Sequence, residues 1–157
     1  MIKKTLFFFQ NISGPLAIDC VSPYGIVTVP GSTIITPDYP HNYGNYLDCQ
    51  VTLTFETRVE IVFEDFELEK GLEPDDPSMP EDCKFDWLEV HDGVENGSDL
   101  IGEKLCGNSI PSPIESSGNS LTLVFHSDGG LNKKGFKIKT YQGKLKYTEI
   151  KNLKLDH

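Results

Sequence analysis

The chain is short of positive charge and has no long apolar run. Fourteen Lys and Arg stand against 24 Asp and Glu, a formal net charge of −10 over 157 residues. That balance argues against a nucleic-acid partner, whose phosphates call for a basic footprint. No apolar stretch is long enough to cross a bilayer as a helix. No C-x-x-C pair is present, which disfavours a zinc knuckle or a redox motif. H-E-x-x-H, G-x-S-x-G and phosphate-cradling glycine loops are missing, and His41, His91, His126 and His157 are scattered. His126, Ser127 and Asp128 are consecutive. Neighbouring strand residues face opposite ways, so these three do not converge as a triad must. The chain reads as a non-enzyme. It also lacks internal repeats and any long helical period.

What is there has a period of two. Val51, Leu53 and Phe55 alternate with polar residues, as do Val59, Ile61 and Phe63. Leu88 and Val90, then Leu121, Leu123 and Phe125, then Phe136 and Ile138 repeat the pattern. Short alternating runs bounded by Gly, Pro, Asn and Asp predict strands. Several of them in one domain-sized chain predict an all-β antiparallel sandwich. One phase break is informative. Val59, Ile61 and Phe63 are odd-numbered, whereas Phe66 and Leu68 are even. A strand that keeps one face buried must absorb the extra residue, which predicts a β-bulge near Glu64–Asp65. Beyond it, Glu69 falls out of phase with Phe66 and Leu68 and is expected to point away from the core.

Charge is segregated along the chain. From Lys133 onward there are eight Lys and two acids, net +6, so residues 1–132, with six bases and 22 acids, carry −16. An acidic body attracts cations and basic partners. Residues 70–82 form a Pro-rich loop in which five of thirteen residues are acidic (Glu73, Asp75, Asp76, Glu81, Asp82). The loop lacks the spacing and glycine of an EF-hand. Residues 143–157 read as a lysine-rich tail or linker.

Four cysteines, Cys20, Cys49, Cys83 and Cys106, permit three disulfide pairings. Disulfides imply an oxidising, secreted or extracellular setting. The sequons at Asn11 and Asn96 fit that compartment, with Asn96 in a turn-like VENGSD stretch. MIKKTLFFF opens with a basic n-region and an apolar run, so residues 1–19 read as a signal peptide or an N-terminal extension.

Glu69, Asp86 and Asp128 each sit at the end of a predicted strand. Brought together, three carboxylates repel and raise one another's pKa unless a cation neutralises them. An all-oxygen ligand set suits a hard cation, Ca²⁺ first. Tyr39, Tyr43 and Tyr46, in a loop that reads as exposed, offer aromatic contact area nearby.

The ordered set of these features resembles the CUB domain family over about Cys20 to Gln142. Ser32 to Tyr43 (STIITPDYPHNY) is similar to the family's S-P-N-Y-P-x-x-Y stretch. Phe63 to Glu69 (FEDFELE) is similar to F-x-x-F-x-L-E, and Cys83 to Val90 (CKFDWLEV) to C-x-Y-D-x-L-x-I. Asp92-Gly93, Cys106-Gly107, Pro111, Phe125 to Asp128 and Gly135-Phe136 follow in family order. The resemblance implies a two-sheet, jelly-roll-like β-sandwich stapled by Cys20–Cys49 and Cys83–Cys106. It implies Ca²⁺ held by Glu69, Asp86, Asp128 and a backbone carbonyl, that of Gly130, with Tyr39 supporting Glu69. It also implies a partner: an extracellular protein whose exposed Lys or Arg docks on Glu69, Asp86 and Asp128, with Tyr43 adding contact. Two further readings are a non-catalytic CUB module of a secreted multidomain protease and a small secreted glycan-binding adhesion protein. Additional domains of the same parent protein are compatible with all three.

Overall fold

The computed structural model describes residues 14–18, 20, 25–72, 82–94 and 98–144. Asn11, Asn96, residues 73–81 of the acidic loop and the tail beyond Lys144 lie outside them. Among the described residues ten strands are present: β1 (Leu16–Ala17), β2 (Gly25–Val27), β3 (Thr33–Ile35), β4 (Asp48–Thr54), β5 (Val59–Glu67), β6 (Trp87–Asp92), β7 (Asp99–Leu100), β8 (Ile114–Glu115), β9 (Ser120–His126) and β10 (Gly135–Gln142). They form two five-stranded sheets, ordered β1-β3-β10-β5-β8 and β2-β4-β9-β6-β7. The architecture is the expected all-β sandwich. Each sheet is antiparallel apart from one parallel edge pair, β1 with β3 and β2 with β4.

The strands form where the period of two buries one face. Val51 and Leu53 of β4, Leu121, Leu123 and Phe125 of β9, and Leu88 and Val90 of β6 meet Ile61, Phe63, Phe66, Phe136 and Ile138 of the opposite sheet in one core. Phe125 stands edge-to-face on Phe136 across it, with ring centroids 5.7 Å apart. A core Phe→Ala change in such packing costs about 3–5 kcal/mol. The outward face of the second sheet is not simply solvated. Thr52 and Thr122 are buried there and hydrogen bond to each other at 3.0 Å. The Thr122 hydroxyl reaches Gly93 O at 2.8 Å, so the turn after β6 folds back over polar residues that alternation alone would leave in water.

The expected bulge is present. In the β5–β10 ladder Asp65 pairs with Lys137 and Phe63 with Ile138, leaving Glu64 as the extra residue. The slip returns Phe66 and Leu68 to the buried face, at 2% and 1% exposure. The sandwich also begins earlier than the Cys20 boundary. Leu16 and Ala17 pair with Ile34 and Ile35, and the Ile18 N–H donates to Ile35 O at 2.9 Å. Apolar Leu16 and Ile18 extend the sheet edge because they cover core side chains.

Both disulfides have the nearest-neighbour pairing, Cys20–Cys49 and Cys83–Cys106. Leu72 and Asp82 exchange backbone hydrogen bonds at 3.0 and 3.1 Å, which closes the base of the acidic loop. Among the described residues, no helix is long and apolar enough to cross a membrane.

Candidate functional site

Closing the two sheets gathers three strand ends at one edge of the sandwich. Glu69 lies just past the end of β5 in the first sheet. Asp86 immediately precedes β6 and Asp128 follows β9, and these strands are paired in the second sheet through Trp87 and His126. One carboxylate oxygen from each of Glu69, Asp86 and Asp128 falls within 4.8 Å of the others. The three predicted acids therefore meet.

Their carboxylates are held very differently. Asp86 is 1% exposed, and both its oxygens are satisfied. Oδ1 accepts the Asp128 N–H at 2.8 Å and Oδ2 accepts the Tyr43 hydroxyl at 2.6 Å. Asp128 Oδ1 accepts the Gly130 N–H at 2.6 Å. Glu69 Oε2 is buried and has no hydrogen-bond donor. Burial pushes the Glu69 carboxyl above its ordinary pKa, and the charges of Asp86 and Asp128 push further; the Leu131 N–H and Lys133 offset part of the rise. Asn132 Oδ1, in the same loop, is a second buried acceptor without a donor. Buried acceptors with no donor are costly, and a hard divalent cation satisfies them directly. The donor set is all oxygen, so it fits Ca²⁺ rather than a softer metal.

Gly130 belongs beside these acids for a steric reason. A Cβ there would stand 2.9 Å from Asp128 Oδ1 and 3.1 Å from Glu69 Oε2, so both carboxylate ends would have to give way. Its N–H faces Asp128, which brings the loop backbone onto the cluster.

The tyrosines divide in a way the sequence does not reveal. Tyr39 does not support Glu69: its hydroxyl donates to Asp65 Oδ2 at 2.7 Å. Asp65 lies within β5, upstream of the cluster, where Lys134 also binds it at 2.8 Å. The supporting tyrosine is Tyr43. Besides donating to Asp86, its oxygen accepts the Glu69 N–H at 3.2 Å, tying two of the three acids together. Burial first, and then the hydrogen bond to Asp86, drive its phenol pKa well above the ordinary tyrosine value. Tyr43 is 1% exposed and stacks edge-on against Phe125 at 5.2 Å, so it is no contact residue for a partner. Its ring fills the core beneath the site. The exposed aromatic is Tyr46, at 79%. Alternation has no meaning in this irregular loop, so only its packing distinguishes the three.

His126, Ser127 and Asp128 diverge as expected. His126 Nδ1 lies 2.6 Å from Asp48 Oδ1, while the Ser127 hydroxyl donates to Gly44 O at 2.8 Å.

The model of the CUB domain matches residues 22–140. The chain belongs to the CUB family. It is 39% identical over 115 residues to neuropilin-2 of Rattus norvegicus, covering 73% of this chain and 12% of that protein. It therefore spans only a small part of that relative's length. Among solved structures it is similar to the full extracellular region of zebrafish Gpr126/Adgrg6 (TM-score 0.62, 28% identity, 79% of this chain and 15% of that one). It is also similar to the MASP-1 CUB2 domain bound to Ca²⁺ (TM-score 0.60, 28% identity, 74% of this chain and 96% of that one). As a CUB domain, the chain is of a kind that serves as an interaction module within larger proteins.

Proposed function

We propose that this CUB domain is an extracellular, calcium-dependent protein-interaction module. The observation that carries the reading is the convergence of Glu69, Asp86 and Asp128 within 4.8 Å, with Glu69 Oε2 buried and lacking a donor. The Ca²⁺-bound MASP-1 CUB2 domain supports the choice of cation. Glu69, Asp86 and Asp128 would hold the ion, with the Gly130 carbonyl as a further ligand and water completing the six to eight oxygens Ca²⁺ takes. Asn132, with its unpartnered Oδ1, is the side chain available to join them.

Three carboxylates and one Ca²⁺ leave a net charge near −1. The ion would fasten the ends of β5, β6 and β9 together and stabilise the native state by linkage. Carboxylate oxygens facing outward would then accept charge-assisted hydrogen bonds from a Lys or Arg of another extracellular protein. The acidic balance of the body favours the approach of such a partner. A sugar-binding role gains no support from Trp87, whose ring is already engaged by stacked His126 at 5.1 Å and by Lys104 Nζ at 3.9 Å.

The test is thermal unfolding of the oxidised chain in Ca²⁺ and in chelator, for wild type and Asp128→Ala. The expected result is a calcium-dependent rise in midpoint that Asp128→Ala abolishes. No calcium effect on the wild type would overturn the reading.

A further inference from the structure

A second surface, away from the acids, has the opposite polarity. An open hollow of about 490 Å³ lies against the first sheet, at the side where β1 forms the sheet edge. Ligand pockets span roughly 300–1,000 Å³. Lys139 of β10 and Thr33 of β3, which are register partners, line the hollow from the sheet. Their neighbours Ile138 and Ile34 are buried in the core, so by alternation Thr33 and Lys139 face outward. Pro15, Val29 and Pro30 line it from the chain before β1 and the turn before β3. Lys139 also pairs with Val62, and Glu69 lies roughly 20 Å farther along the chain that β5 carries.

The turn that walls the hollow is fastened to β10. The Gly31 N–H donates to Thr140 O at 2.9 Å. Ser32 O accepts the Thr140 N–H at 2.9 Å and its hydroxyl at 3.0 Å. Thr140 is 0% exposed, so water does not compete for these bonds. Ser32 Oγ closes the turn on Val29 O at 2.6 Å. The wall is therefore in place before anything binds, which lowers the cost of binding.

The polar groups that line the hollow from the sheet are donors in want of an acceptor. Lys134 is neutralised by Asp65 at 2.8 Å, and Lys137 by Glu64 at 3.0 Å. Among the described residues no carboxylate pairs with Lys139, whose ammonium reaches only Thr33 Oγ1, at 3.5 Å. An ammonium has three protons to give, and the Thr33 hydroxyl keeps one of its own. Pro15 and Pro30 have no N–H and offer only apolar surface. Val29 adds to that surface, 60% exposed. One ammonium matches one carboxylate. A polyanion such as a sulfated chain calls for a row of unpaired cations, and the neighbouring lysines are already paired.

We propose that this hollow is a second docking surface, whose occupant is an extended segment of a protein partner with an Asp or Glu next to a large apolar residue. The carboxylate meets Lys139 Nζ and the Thr33 hydroxyl in charge-assisted hydrogen bonds. The apolar side chain lies on Val29, Pro30 and Pro15. A protein segment fits because the hollow opens at the short edge strand β1, where an extended chain can lie alongside the sheet. The surface needs no cation, so it works independently of the acidic cluster and selects partners of the opposite charge.

The test is an NMR titration of the full chain with three blocked peptides: acetyl-Glu-Leu-amide, acetyl-Gln-Leu-amide and acetyl-Glu-Gly-amide. The Glu-Leu peptide is expected to shift the amides of Val29, Gly31 to Thr33 and Lys139, equally in Ca²⁺ and in chelator. It is expected to bind about two- to fivefold tighter than Gln-Leu, the range of one partly solvated ion pair. Against Glu-Gly the expected advantage is about three- to tenfold, as burial of an apolar side chain allows. Lys139→Gln is expected to abolish the preference for Glu over Gln, and Lys137→Gln to leave it intact. Val29→Ser, at an exposed position, is expected to shrink the advantage of Leu over Gly. Equal binding of the Glu-Leu and Gln-Leu peptides to the wild type, a preference that survives in Lys139→Gln, shifts confined to other residues, or no binding at all overturns the proposal.

Discussion

The buried hydroxyl of Tyr43 donates to Asp86 Oδ2 at 2.6 Å. The same oxygen accepts the Glu69 N–H at 3.2 Å, so one phenol sets the spacing between acids that come from different sheets. Removing it leaves a carboxylate oxygen on a residue only 1% exposed without that donor. Tyr43→Phe is expected to destabilise the domain by about 2 kcal/mol in chelator, within the range for an orphaned buried acceptor. It is also expected to weaken Ca²⁺ binding by about tenfold, as loss of a group that orients a metal ligand does. Denaturant titration and calcium calorimetry on the one variant read both effects.

Tyr39 supplies the contrast. Its hydroxyl serves Asp65, outside the cluster. Tyr39→Phe is expected to cost about 0.5–1 kcal/mol, as for a partly solvated hydrogen bond. Calcium affinity should be unchanged. A calcium defect in Tyr39→Phe equal to that of Tyr43→Phe would contradict this division of roles.

Glu69 and Asp65 predict opposite responses to acid. Burial raises the Glu69 carboxyl, and Asp86 and Asp128 add to the rise. Without cation, the native state therefore binds this proton more readily than the unfolded chain does. The stabilisation is present below the ordinary glutamate pKa and is lost as pH rises through the raised value. Burial also acts to raise Asp65, but Lys134, Tyr39 and the Phe66 N–H together hold it below its ordinary value. Its contribution is present above the ordinary aspartate pKa and is lost as pH falls through the lowered one. In chelator, Glu69→Gln is expected to be more stable than wild type at about pH 7, with the gain shrinking toward about pH 4 as the wild-type carboxyl protonates. In Ca²⁺ the order is expected to reverse at neutral pH, because the variant lacks a ligand charge. Denaturant midpoints across that pH range, with and without the ion, check both statements.

The Cys83–Cys106 disulfide is expected to matter for the site as well as for stability. It links the segment leading to Asp86 with the segment at Gly107. Gly107 O accepts the Leu68 N–H at 2.8 Å, and Gly107 N–H donates to Glu69 O at 3.3 Å. The double variant Cys83→Ser, Cys106→Ser is expected to lose about 3 kcal/mol of stability by chain entropy. It should also bind Ca²⁺ more weakly, measured under conditions where it remains folded. Unchanged calcium affinity would show that Glu69 and Asp86 are placed without the bridge.

How far the sequence reaches differs from one part of the molecule to another. The strands around Val51, Ile61, Leu88, Leu123 and Ile138 were legible because alternation is a local property: successive side chains leave a strand on opposite faces. The bulge at Glu64 was legible for the same reason, as a break in that alternation. The short edge strands β1, β7 and β8 carry too few residues to show a period. Burial of Thr52 and Thr122 depends on the turn beyond β6 folding back, which no pattern within β4 or β9 records.

By itself, the sequence determined a two-faced β-sandwich and the three strand ends at which acids stand, since both follow from residues near one another in the chain. Only the tertiary structure decided that Tyr43 lies under the acids, that Tyr39 serves Asp65, and that Tyr46 stays in the open. In an irregular loop no backbone period assigns a direction to a side chain. The direction is set when two sheets close around it, through contacts with residues as distant in sequence as Asp65, Asp86 and Phe125.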